Sequence, residues 1–329
     1  MQMPIPNHVA QIAIFISFHG ALGMAALLLF LVIRRDRAER ADAQAAAMIK
    51  ALIREIMGGG MAGGDGEDAL SRPAFRKART ADKLAAIGRM IQLLRGEERE
   101  RLIALVERHG LLRDALRKTH SSRRRAQVDA MRILGSIGGE HAVDALLSVL
   151  HEDPQIDTRL EAASQLAQLD ALPAPERLID DLALYETRIT PLHRSLFRLI
   201  AVSHPAELMA LGRSNQLPPA VRALVIDALG WTEDFAALPL LAAAAGDPHP
   251  PVRLAALDSA TRLGHPGSAG WIVRMLEDPE HPVRSRAIRA CQIMKLTAAL
   301  PLLSALRNDP SPWVRLRAQQ AVQMLQVAA

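Results

Sequence analysis

The hydrophobic pattern begins with an unbroken apolar run. Residues 9–33 read VAQIAIFISFHGALGMAALLLFLVI and carry no formal charge. A helix of this length spans roughly 37 Å, more than the roughly 30 Å hydrocarbon core of a bilayer. A helix in a protein core would have a polar face, and this run has none. A signal peptide would have Lys or Arg before its apolar run, and none precedes this one. Residues 1–33 are therefore predicted to form a short tail and one transmembrane helix.

The pattern then changes three times before residue 125. Residues 34–57 carry apolar side chains at steps of three and four, which predicts a juxtamembrane amphipathic helix. Residues 58–67, GGGMAGGDGE, lack the Gly-Lys-Ser/Thr of a phosphate loop and predict a flexible linker. Residues 68–124 form a basic helical segment whose clearest helices are DKLAAIGRMIQLLRG and EERERLIALVERHGLL.

Residues 125–329 repeat themselves. Asp-Pro pairs start at 247, 278 and 309, a step of 31 residues, and a Val-Arg pair follows each at the same offset. The helices after these pairs align in four columns at steps of four, four and three, which predicts one buried face. The columns are Val252, Val283 and Val314; Ala256, Ala287 and Ala318; Ala260, Cys291 and Val322; and Leu263, Met294 and Leu325. Seven first helices are predicted, marked by Arg125, Arg159, Arg194, Arg222, Arg253, Arg284 and Arg315.

The D-P-x3-V-R turn and the A-x3-A helix after it resemble the HEAT-repeat family, in the short bacterial form also seen in phycobilin-lyase-type repeats. The resemblance covers about residues 125–326, although the step of 31 is shorter than the roughly 40–47 residues of most HEAT and armadillo units. It implies an all-α fold, an α-solenoid of HEAT-like repeats behind the N-terminal transmembrane helix. It also implies that the second helices line a concave binding surface.

The repeated aspartates and arginines are interpreted as structural. Asp before Pro ends one helix and caps the next, and the arginine can pair with the Asp of its own or a neighbouring turn. The result would be a ladder along one edge of the array. Its predicted members are Asp247, Asp278, Asp309, Arg253, Arg284 and Arg315.

Charge sets the expected orientation and partners. Arg34, Arg35, Arg37 and Arg40 follow the apolar run and no Lys or Arg precedes it, which predicts an inner-membrane, single-pass protein with its N-terminus outside and its C-terminal domain cytoplasmic. Residues 71–125 hold 16 Lys and Arg against 6 Asp and Glu, a block suited to an anionic lipid surface or an acidic partner. Nucleic acid is disfavoured because no run of aromatic residues interleaves with these charges, where Phe75 stands alone, and no binding motif is recognisable. The single cysteine, Cys291, rules out an intramolecular disulfide and fits a reducing compartment.

Polar residues inside the apolar run form one candidate site. His19 lies near its middle, with Gln11 and Ser17 before it. An ionisable group within a membrane span marks a functional candidate, and small residues at spacing four let helices approach closely. These features favour a membrane partner or self-association through the span.

No catalytic, cofactor-binding or metal-binding motif is present in the sequence: there is no HExxH, no cysteine cluster and no ligand spacing. The chain is interpreted as a membrane-tethered HEAT-repeat scaffold that binds or regulates a protein partner, and not as an enzyme. The alternative is an enzyme or enzyme subunit built on HEAT repeats, lyase-like or part of a membrane glycosyltransferase system. Candidate partner-binding residues are Arg274, Ser304 and Arg307 on the second helices, and Trp313 at the start of the unpaired last helix.

Overall fold

The computed structural model describes residues 80–108, 110–214 and 216–328, together with Met24, Phe30 and Arg35. Apart from those three residues, the predicted transmembrane run, amphipathic helix and linker lie outside this part of the chain, as do the candidates Gln11, Ser17 and His19. Among the described residues, no helix is both long enough and apolar enough to cross a membrane.

The chain divides into two compact units, Met1–Asp114 and Ala115–Ala329. In the first, α1 (Thr80–Leu93) and α2 (Glu97–Arg108) are the two helices expected from the amphipathic pattern. Glu97, Glu98 and Glu100 occupy the first turn of α2, where acidic side chains meet the positive end of the helix dipole. A short helix, α3 (Arg113–Lys118), runs across the boundary between the units.

The second unit alternates longer and shorter helices, and the described residues contain no strand. The longer, first helices are α4 (Arg124–Ile137), α6 (Ile156–Gln168), α8 (Pro191–Ser203), α10 (Pro219–Leu229), α12 (Pro250–Leu263), α14 (His281–Ile293) and α16 (Pro312–Ala328). The second helices are α5 (Glu140–Glu152), α7 (Pro175–Asp181), α9 (Pro205–Gly212), α11 (Leu238–Ala244), α13 (Ala269–Arg274) and α15 (Leu300–Ala305). The expected repeat region, 125–329, lies within this unit.

Proline sets where many of these helices begin. It occupies one of the first two positions of α8, α10, α12 and α14, where its fixed φ suits a helix start and its missing N–H costs no hydrogen bond. The late second helices are shorter and continue as 3₁₀ turns, Met275–Glu277 after α13 and Leu306–Asn308 after α15. These tight ends bring each Asp-Pro pair to the start of the next first helix.

The buried face follows the predicted columns in three of four cases. The valine and alanine columns are fully buried, and Cys291 and Ala260 share that environment. Burial raises the pKa of the Cys291 thiol to about 12. The fourth column is a correction, because Leu263 and Met294 are only half-buried. They lie at or just beyond the ends of α12 and α14, whereas Leu325 is buried within the longer α16.

The first helices pack directly on one another. Ser259 on α12 donates its hydroxyl to the carbonyl oxygens of Ile226 and Asp227 on α10, at 2.7 and 3.0 Å. A Cβ on Gly230 would lie 2.6 Å from the Ser259 Cα, so a side chain there would force the helices apart. Small residues therefore set the close spacing of this row.

Replacing Ala287 by Leu should lower the free energy of unfolding by about 1–3 kcal/mol, because the extra methylenes enter a filled column. Urea unfolding followed by circular dichroism measures the change. Arg289→Leu, on the exposed face of the same helix, is the control and should shift stability by less than about 0.5 kcal/mol. Equal stability of Ala287→Leu and the parent chain would show that the buried face is wrongly phased.

Candidate functional site

The ladder arginines of α12 and α14 each hold two successive turns. Arg253 donates through Nε and Nη2 to both carboxylate oxygens of Asp278, at 2.7 and 2.8 Å, 25 residues ahead. Its Nη1 donates to the Asp247 and Pro248 carbonyls of its own turn, at 2.9 and 3.2 Å. The sequence left open whether the arginine pairs with the Asp of its own turn or of a neighbouring one. The structure shows that the carboxylate comes from the next turn, and that the arginine's own turn supplies carbonyl oxygens.

The same arrangement recurs one repeat later. Arg284 bonds both carboxylate oxygens of Asp309 and the Asp278 and Pro279 carbonyls. Arg315 also bonds its own turn, through the Asp309 and Pro310 carbonyls, but among the described residues it has no carboxylate partner. In the preceding repeat, Arg222 Nε lies 3.0 Å from Asp247 Oδ2.

The ladder changes in the earlier repeats. Arg125 and Arg194, chosen as sequence markers, are exposed. On α4, the helix that Arg125 marks, Gln127 takes the position of the ladder arginine. It donates to the Thr119 carbonyl at 2.7 Å and to Asp153 Oδ2 at 2.8 Å. A marker residue can therefore locate a first helix without belonging to the ladder. The signal for Gln127 was available, since it lies 26 residues before the Asp of an Asp-Pro pair.

The predicted partner-binding residues are exposed but do not form one site. Ser304 and Arg307 line an open cavity of about 560 Å³ between α15 and α16, together with Arg315. Arg274 lies one repeat earlier, at the end of α13, and is not part of that cavity. Trp313 is 69% exposed and also lies outside its lining.

A second cavity, which the sequence reading missed, opens across the first helices. It has a volume of about 400 Å³, and we call it the Trp231 groove. Its walls come from α8, α10, α12, α14 and the turn after α10. The lining residues are Arg198, Asp227, Trp231, Asp258, Ser259, Thr261, Arg262, Arg286, Arg289, Ala290 and Ile293.

Two ion pairs are built into the walls of the groove. Arg198 makes a two-pronged contact with Asp227, at 2.8 and 3.1 Å, which spans α8 and α10. A hydrogen bond from Arg286 to Asp258 likewise joins α14 to α12. The hydrogen bond to Asp227 is the main reason why the pKa of Arg198 is raised above its ordinary value. These pairs fix the walls and neutralise two of the four arginines.

The indole of Trp231 contacts two of the arginines that line the groove. The Arg262 guanidinium lies over its ring, with Cζ 3.5 Å from the ring centroid, and the Arg198 Cζ lies 5.2 Å away. Both distances fall within the range of cation–π attraction. A sequence signal did exist: Trp231, Arg262 and Ile293 follow one another at the 31-residue step, on successive repeats.

Paired helices stacked through a continuous row of first helices define an α-solenoid of repeats. The family model for HEAT repeats matches residues 239–323, and the model for the PBS lyase HEAT-like repeat matches residues 126–152. Both matches confirm the expected HEAT-type repeats in those two stretches. No curated protein matches the chain.

Several solved structures resemble the chain distantly. Human deoxyhypusine hydroxylase in complex with glycerol is 16% identical over 75% of this chain and 97% of that one, with a TM-score of 0.33. The complex of CpcE and CpcF of phycocyanin lyase from Nostoc gives 19% identity, 65% and 94% coverage and a TM-score of 0.33. A designed armadillo repeat protein in complex with a (KR)4 peptide is 18% identical over 65% of this chain and 99% of that one, with a TM-score of 0.34. Values this low assign no partner or activity to this chain.

The buried ladder carboxylate Asp309 has a lowered pKa. Burial alone would raise its pKa, but hydrogen bonds from Arg284 and the Ser311 amide, with the charges of Arg284 and Arg315, hold the pKa below its ordinary value of 3.8. The folded chain therefore favours the charged form. This contribution to stability is complete above the ordinary carboxyl pKa and is lost as the pH falls through the depressed folded value.

Asp309→Asn should lower the free energy of unfolding at neutral pH by about 1–3 kcal/mol, because it leaves Arg284 without its charged acceptor. The difference from the parent chain should shrink in acid, where the parent carboxylate becomes protonated. Urea unfolding at a series of pH values tests both points. The exposed Asp180→Asn should match the parent throughout. A deficit for Asp309→Asn that stays constant into acid would contradict the depressed pKa.

Proposed function

We propose that this chain is a membrane-tethered HEAT-repeat scaffold that holds a protein partner at the cytoplasmic face of the inner membrane. The carrying observation is the ladder of Arg253, Arg284 and their aspartates. Two-pronged bonds between successive turns fix one repeat on the next, and exposed side chains are then held at a constant spacing. A surface prepared in this way loses little freedom on binding, which favours recognition of a partner.

A binding role also suits what the exposed surfaces offer. The groove presents an indole, cations and paired carboxylates, and the cavity beside α15 presents Ser304 and Arg307. The Cys291 thiol is fully buried with a raised pKa, so it does not serve as a nucleophile. The proposal gives the chain no catalytic role.

Membrane tethering is supported by the sequence. The uncharged run at residues 9–33 is long enough to cross a bilayer, and four arginines follow it directly. The same arginines support a cytoplasmic location for everything beyond them. A partner that is itself membrane-associated would then meet the repeats at a raised local concentration, which favours capture at modest affinity.

Labelling of a Gly63→Cys variant tests this topology. An impermeant maleimide should leave it unlabelled in intact cells and label it after the membrane is opened. The native Cys291 gives no background, because it is buried and its pKa is raised to about 12. Labelling in intact cells would overturn the orientation. Recovery of the chain in the soluble fraction, with no detergent, would overturn the tether.

Charge reversal tests partner capture. The double variant Arg274→Glu with Arg307→Glu should fold normally but recover less partner from native membranes, because reversal of exposed charges acts on complementarity more than on packing. The matched control reverses Arg177 and Arg213, exposed arginines at second helices of earlier repeats. Equal recovery of every partner by the two double variants would exclude Arg274 and Arg307 from the binding surface.

A further inference from the structure

We propose that the Trp231 groove binds an extended acidic segment of the protein partner, with carboxylates on Arg262 and Arg289 and an apolar side chain against Ile293. This inference rests on the proposed scaffold function and gives the chemistry of its partner. It is drawn from the charges, the stacked indole and the position of the groove across successive repeats.

Two of the arginines that line the groove have no aspartate in the groove to neutralise them. Four arginines and two aspartates line it. Arg198 and Arg286 are used by the wall pairs with Asp227 and Asp258, which have their own structural role. Among the described residues neither Arg262 nor Arg289 has a carboxylate partner, and both side chains are exposed. The groove therefore carries a net charge of +2 that an anionic ligand would compensate.

Arg262 is already arranged to receive a carboxylate. The carbon of its guanidinium lies over the Trp231 ring, 3.5 Å from the ring centroid. A guanidinium carries five N–H donors in its own plane, so a ring beneath it does not use them all. An indole attracts a cation without neutralising its charge, so this plane keeps its affinity for a planar acceptor. Stacking also restrains a long side chain before the ligand arrives, which reduces the entropy lost on binding.

The remaining lining favours a peptide over a polyanion. Ile293 is 54% exposed at the end of the groove, and Met324, 56% exposed, follows it one repeat later. Exposed apolar side chains therefore lie beside the cations Arg262 and Arg289, which suits an acidic peptide with interspersed leucines.

The size of the groove matches a short extended segment. Packed helices lie about 8–10 Å apart, so a path across α10, α12 and α14 covers roughly 20 Å. An extended peptide rises roughly 3.3 Å per residue and would cover that path with about six residues. Such a segment lies across the repeats, in contact with Arg262 on α12 and with Arg289 and Ile293 on α14.

The test uses the full-length chain in detergent micelles and a dye-labelled peptide of eight alternating Glu and Leu residues. Fluorescence anisotropy should show saturable binding that weakens with added salt, since exposed charges are screened. Arg262→Gln with Arg289→Gln should weaken binding at least tenfold. Arg177→Gln with Arg213→Gln, two arginines that are also exposed but lie outside the groove, should leave it unchanged. Circular dichroism of both double variants verifies that they fold.

Three outcomes would overturn the inference. One is equal peptide affinity for the groove variant and the parent chain. Another is equal affinity for a peptide with Gln in place of Glu, since carboxylates would then be irrelevant. The third is binding of a dye-labelled short-chain phosphatidylglycerol that depends on Arg262 and Arg289 while the peptide does not bind, which would assign the groove to lipid.

Pull-down from native membranes separates this inference from the scaffold proposal. Recovery of the partner by the Arg262/Arg289 variant at the parent level would reject the groove and leave the scaffold intact. Peptide binding in the groove, with no partner recovered by the parent chain, would support the groove and reject the scaffold. Loss of the partner from the groove variant, alongside the control's full recovery, would support both.

Discussion

The array depends on one arginine that bonds two turns at once. A guanidinium has five N–H donors in one plane. Arg253 uses some of them to bond the carboxylate of Asp278, later in the chain, and the others to bond the carbonyl oxygens of Asp247 and Pro248, earlier in the chain. The carbonyls lie where one helix has ended and the next has not begun, so they would otherwise lack donors. A charge that satisfies both groups can be buried beside them, and its removal would leave carboxylate and carbonyls unpaired.

This contact also explains the constancy of the 31-residue step in the late repeats. Because the carboxylate lies 25 residues ahead of its arginine, an insertion within that stretch would move the Asp away from the guanidinium. The alanine columns act in the same direction, since Ala256, Ala287 and Ala318 are fully buried where first helices meet. Electrostatics fix the register of the turns while small side chains fix the spacing of the helices.

The two exposed surfaces differ in how far they are prepared for a ligand. Arg274 is an exposed cation with no carboxylate partner among the described residues, and such a side chain loses much of its freedom when it forms a surface ion pair. In the Trp231 groove the walls are tied by Arg198 with Asp227 and by Arg286 with Asp258, and Arg262 is stacked. Binding energy there is not spent on ordering the site, so the groove is the better candidate for selective recognition.

The sequence alone determined the helical repeat, its 31-residue period in the late repeats, the Asp and Arg ladder positions of those repeats and three of the four buried columns, because each depends on spacings that recur along the chain. Tertiary structure decided the rest. Whether Arg253 bonds its own Asp or the next is set by a distance between turns, and Gln127 replaces an arginine because an amide also reaches both acceptors. Leu263 lost its place in the core because α12 ends at that residue. The Trp231 groove needs side chains from four helices, and only the stacking of those helices brings them together.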